Sequence, residues 1–134
     1  MVAIPVTLGA VAAATVVNGW LSARIGKLRG LYKVSVGDGG HEPLLRRMRA
    51  QANFIENAPF FLLLLAGLEL SGGNRFALGL AAAIFILARI AHGVGMDGGE
   101  RQRWRMIGMM STTFVTLVLV IWALACAAGF CLGG

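Results

Sequence analysis

Four apolar runs, each about as long as a membrane is thick, leave this chain few ways to fold. They occupy residues 2–20, 53–70, 76–94 and 106–132, close to the ~20 residues a helix needs to cross a ~30 Å hydrocarbon core. With four spans taken, 134 residues leave almost no length for a soluble domain. Only 13% of the residues are charged, against about a quarter in soluble domains. Runs such as FFLLLLAGL and TLVLVIWALACAAG lack a period of two, which favours helices over the alternating strands of an outer-membrane barrel. The expected fold is all-α: an integral membrane four-helix bundle, one domain over 1–134, with helices near 2–27, 43–71, 75–97 and 103–131.

Charge placement separates the two sides. No basic residue precedes the first run, and Arg24, Lys27, Arg29 and Lys33 follow it; a cleavable signal peptide has the reverse order, so this helix is read as retained. Arg46, Arg47 and Arg49 extend the same basic segment, and Arg101, Arg103 and Arg105 mark the third connection, whereas the second has only Arg75. The positive-inside rule makes the two basic connections cytoplasmic and puts both termini on the other side. The net charge of +6 is thus a topology signal, and without interleaved stacking aromatics it does not point to nucleic acid. Cys126 and Cys131 fit neither a CxxC redox pair nor a metal pattern. They read as apolar packing residues, with a local disulfide as the alternative. VGDGG at 36–40 and DGG at 97–99 read as turns, and Pro43 as a helix start.

The stretch RMRAQANFIENAP at 47–59 carries polar groups into the second run. Helical spacing aligns Arg46, Arg49, Asn53 and Glu56 on one face and turns Gln51 nearly opposite. Arg46 and Arg47 read as interfacial anchors whose long stems snorkel to water. Glu56 lies ~10 Å beyond Arg49 at ~1.5 Å per residue, at a depth matched from the third run by Arg89, so a buried Glu56–Arg89 ion pair is expected. His92 shares the Arg89 face; with no second ligand at metal spacing, no metal site is expected. Arg101, Arg103 and Arg105 cannot all face one way, so at least one should face inward. The sum is a cytoplasm-facing, electropositive cavity with a carboxylate and amides on its walls. Its natural guest is a small anion that also carries an amine.

RAQANFxEN followed by Pro59 resembles the second-helix signature of the MAPEG family, the membrane-associated proteins of eicosanoid and glutathione metabolism. LSAR at 21–24, the GDGGH loop, ARIAH at 88–92 and the arginine-rich turn into the fourth helix extend the resemblance over the whole chain, closest to the small bacterial members. The resemblance implies a homotrimer in the bacterial inner membrane, with glutathione as co-substrate at each subunit interface and a lipophilic small molecule as second substrate. Residue by residue it implies that Arg24 helps hold a glutathione carboxylate and that Arg49, Gln51, Asn53 and Glu56 contact glutathione, Glu56 receiving the γ-glutamyl amine. Arg89 matches a helix-three arginine, and His92 falls where relatives carry His or Tyr near the ligand. The thiolate-stabilising arginine lands on Arg101, Arg103 or Arg105 according to how the turn is gapped, with Arg103 favoured.

Asn57 and Met96 stand where tyrosines are common in relatives. The implied activity is therefore a general glutathione transferase or peroxidase rather than a leukotriene or prostaglandin synthase. The competing reading is a non-catalytic membrane scaffold that binds glutathione or lipid. A proton-coupled transporter fits less well, because the chain has no inverted repeat.

Overall fold

A computed structural model describes residues 3–131. It contains four long helices, α1 (Pro5–Tyr32), α2 (Glu42–Leu70), α3 (Arg75–Gly95) and α4 (Gln102–Ala127), with a 3-10 turn, Gly99–Arg101, leading into α4. All four are long and apolar enough to cross a bilayer. At ~1.5 Å per residue even the shortest, α3, spans about 31 Å. The chain is thus an integral membrane, all-helical protein. The expected start of the first helix at residue 2 and the last apolar position, residue 132, lie outside the described residues.

Local chemistry sets the helix ends. Pro5 opens α1 at a position where the missing N–H costs nothing, but Ile4 before it offers no capping side chain. The cap comes instead from Glu69 near the end of α2, whose carboxylate accepts from Val6 N (3.0 Å), Thr7 N (2.8 Å) and the Thr7 hydroxyl (2.7 Å). A buried carboxylate thus sits against the positive end of a helix dipole and satisfies first-turn amides that have no carbonyl partner within the helix. α1 continues five residues past the expected end at 27, to Tyr32, and stops where Lys33 turns left-handed (φ 54°). Asn74 caps α3 by accepting from Ala77 N at 3.0 Å. α4 ends at Ala127 rather than 131, because the chain turns at Gly129 (φ 89°). That turn carries Cys131 back to Cys126, and the two form a disulfide instead of packing as free thiols.

In lipid, apolar burial alone does not drive helices together; close packing does. α1 turns Ala10, Ala14, Val17 and Leu21 inward, α2 Phe54, Phe61 and Leu65, and α3 Leu78, Ala81, Ala82 and Phe85. Phe61 and Phe85 stack at 4.0 Å in the middle. Large apolar side chains on all four helices point outward, among them Val16, Phe60, Leu87 and Phe114, which suits a hydrocarbon surround. α3 and α4 approach so closely at the basic end that glycine is required. A Cβ on Gly108 would lie 2.4 Å from Ala88 O, and one on Gly95 2.0 Å from Arg105 N. These two glycines set Arg105 beside the last turn of α3.

Candidate functional site

Between α2, α3 and α4, toward the basic end, lies a pocket of about 210 Å³ lined by Arg49, Ala52, Asn53, Glu56, His92, Met96, Arg105 and Met109. Each helix contributes neighbours on one face: Arg49, Asn53 and Glu56 from α2, His92 and Met96 from α3, Arg105 and Met109 from α4. Behind it stands Arg89, among the largest fully buried side chains at 2% exposure. Its Nη2 donates to Asn53 Oδ1 and lies 3.4 Å from His92 Nδ1, its Nη1 lies 3.5 Å from Thr112 Oγ1, and its Nε has no partner. Among the described residues no carboxylate pairs with it.

Arginine has only donors, so its contacts fix the groups around it. His92 Nδ1 must accept, which leaves the ring proton on Nε2. Asn53 must present Oδ1 to Arg89, which leaves its amide N–H groups for another acceptor. The Thr112 hydroxyl gives its proton to Gly108 O at 2.8 Å and so turns a lone pair toward Arg89. The pocket is therefore rich in donors and cations, with Glu56 the one carboxylate on its wall. Such a lining suits an anion that also carries a positive group.

The expected Glu56–Arg89 pair is absent: Glu56 is exposed at the pocket edge, and the shorter amide of Asn53, one turn earlier on α2, takes the Arg89 guanidinium. Gln51 faces α1, as its phase on the helix requires, and donates to Asn18 Oδ1 (3.2 Å) and Ser22 Oγ. A second depression of about 470 Å³ lies on that side, with Ser22, Arg29, Met48 and Gln51 in its lining. Arg105 alone of the three turn arginines lines the polar pocket; Arg103 is exposed, its Nε 3.4 Å from Glu100 O. Arg101 lies 3.8 Å from Asp97, which also receives Arg24 and Arg47. Arg47 is thus not a freely snorkelling anchor but a tie between helices, whereas Arg46 pairs locally with Glu42 at 2.6 Å.

Sequence reasoning missed Asp97 and Glu69. Asp97 was hidden in a turn-forming DGG, and its signal was a lone acid beside an arginine-rich segment. Glu69 was marked by being the one charge in LLLLAGLEL, and an ionisable group inside a span almost always faces a partner or a polar cavity.

Fold and pocket together define a four-span membrane protein with a cation-rich site at its basic end. The chain belongs to the MAPEG family, which it matches over residues 7–125. It is similar to the inner membrane protein YecN of Escherichia coli strain K12, 28% identical over 95 residues that cover 71% of this chain and 72% of the relative. YecN of Escherichia coli O6:H1 matches to the same extent.

Proposed function

We propose that this protein is a glutathione-dependent transferase, with peroxidase activity toward lipid hydroperoxides, working in a bacterial inner membrane. The observation that carries this reading is the gathering of Arg49, Asn53, Glu56, His92 and Arg105 in one pocket above an Arg89 that has no carboxylate partner among the described residues. Family membership supports it, since the family includes glutathione transferases, and the name of the YecN relative supports the location. The basic end then faces the cytoplasm, where glutathione is dissolved, and both termini face away from it.

In this mechanism Glu56 receives the γ-glutamyl ammonium and Arg49 a carboxylate of the tripeptide. Arg105 lies beside the thiol and favours its ionised form; a free thiol has a pKa of ~8.5, and each unit of lowering represents ~1.4 kcal/mol of thiolate stabilisation. His92 Nε2–H adds a second donor to the developing anion. The thiolate then attacks an apolar electrophile arriving from the lipid. A carbon–sulfur bond forms, and the leaving group departs with the electron pair. With a hydroperoxide the thiolate takes the outer oxygen, the O–O bond breaks to release an alcohol, and a second glutathione converts the sulfenic acid to disulfide and water.

The pocket of one chain, about 210 Å³, falls below the ~300–1,000 Å³ of ordinary small-molecule sites. A second copy in a homotrimer would complete it, and the depression on the Gln51 side of α1 and α2 is a polar surface for that copy to meet. Calorimetric titration of glutathione into the detergent-solubilised protein tests the reading. Saturable binding that disappears in Arg49→Ala and Glu56→Gln is expected. Equal binding by both variants would remove this pocket from consideration.

A further inference from the structure

At the basic end, four segments of the chain meet on one carboxylate. Asp97, just beyond α3, receives Arg24 of α1 and Arg47 of α2, the latter at 3.3 Å, and has Arg101 of the turn into α4 at 3.8 Å. The arrangement is built rather than adventitious. Arg24 also donates from Nη1 to Gly93 O (2.8 Å) and lies 4.7 Å over the Trp20 ring, and Arg47 Nη1 donates to Arg24 O (3.0 Å). The side chains of Arg24, Arg47 and Asp97 keep only 14%, 23% and 23% of their exposure. Among the described residues, every ion pair except the local Arg46–Glu42 pair ends on Asp97.

The partners of Asp97 are neighbours of the pocket walls. Arg47 lies two residues before Arg49 on α2, and Arg101 one helical turn before Arg105 on α4. We infer that Asp97 is a positioning residue that ties the basic end of α2 to the turn leading from α3 into α4, at the separation which sets Arg49 and Arg105 on one pocket. Its carboxylate offsets three guanidiniums that would otherwise repel one another and spread the helix ends. Asp97 takes Nη2 of Arg24 while Gly93 O takes Nη1, so Arg24 acts through the frame of the site rather than as an open fork for a ligand carboxylate. The structural part of this inference stands alone; its effect on ligand rests on the glutathione reading of the pocket.

The test combines a distance with a binding constant. Nitroxide labels at Leu45→Cys on α2 and Ile107→Cys on α4, in chains diluted with unlabelled protein, report the gap between the two helix ends by double electron–electron resonance. Asp97→Ala should lengthen and broaden that distance and weaken glutathione binding by about tenfold or more, as expected when ligand groups are misplaced by ångströms. Asp97→Glu should recover most of both. An unchanged distance in Asp97→Ala, or Asp97→Glu behaving like Ala, overturns the inference. Should wild-type protein bind no glutathione, the reading of the pocket fails, and the distance alone decides the role of Asp97.

Discussion

Arg89 is a full cation placed where a membrane protein can least solvate it, and its neighbours are neutral: Asn53, His92 and Thr112. A buried charge without a counter-ion costs several kcal/mol, and among the described residues no carboxylate pairs with Arg89, so an anion arriving in the adjoining pocket would offset that cost. The same logic separates the turn arginines. Arg105 lines the pocket and Arg103 does not. Arg105→Ala should lower kcat for conjugation of a generic aryl halide by about 100-fold, the scale of losing one preorganised charge beside a developing anion, while Arg103→Ala stays within about twofold of wild type. Steady-state turnover of the two variants decides this, and the reverse ranking would move the thiolate to Arg103. Spacing on α2 made Arg49, Asn53 and Glu56 legible as one face. It gave the depth of Glu56 but not its rotation about the helix relative to α3, which is why Asn53 and not Glu56 meets Arg89.

At the scale of elements, apolar length revealed the four helices, because backbone groups in lipid must be satisfied within a helix. The phase of α4 was not legible. It depends on the 3-10 turn Gly99–Arg101, and a shift of two residues in that turn exchanges Arg103 for Arg105. Nor was the Glu69 cap on α1, which joins residues more than sixty apart. The α3–α4 contact depends on Gly108, where an added methyl would meet Ala88 O at 2.4 Å and His92 N at 2.6 Å, both backbone atoms that cannot swing aside. Gly108→Ala should therefore cost about 1–3 kcal/mol, the usual range for overpacking, and lower the thermal midpoint followed by circular dichroism in detergent. Gly26→Ala, with nothing within 4 Å of its Cβ, is the control and should leave the midpoint unchanged or raise it. Equal midpoints for wild type and Gly108→Ala would mean that the two helices are not held at this separation.

At the scale of the whole molecule, the chain is polarised from one end to the other. The basic end holds the pocket and the Asp97 cluster. The far end holds the Glu69 cap, the Cys126–Cys131 disulfide and an apolar groove of about 880 Å³ between α2 and α4. Water-soluble chemistry belongs at the first, and lipid contact along the rest. The central claim is that cations at the basic end hold a glutathione thiolate, and ultraviolet difference absorbance of the thiolate on saturating wild-type protein and Arg105→Ala with glutathione near neutral pH tests it most directly. A thiolate band in wild type that is lost in Arg105→Ala, while glutathione still binds, is the predicted result. Saturable binding to wild type with no thiolate band would contradict it and leave a protein that holds glutathione without activating it.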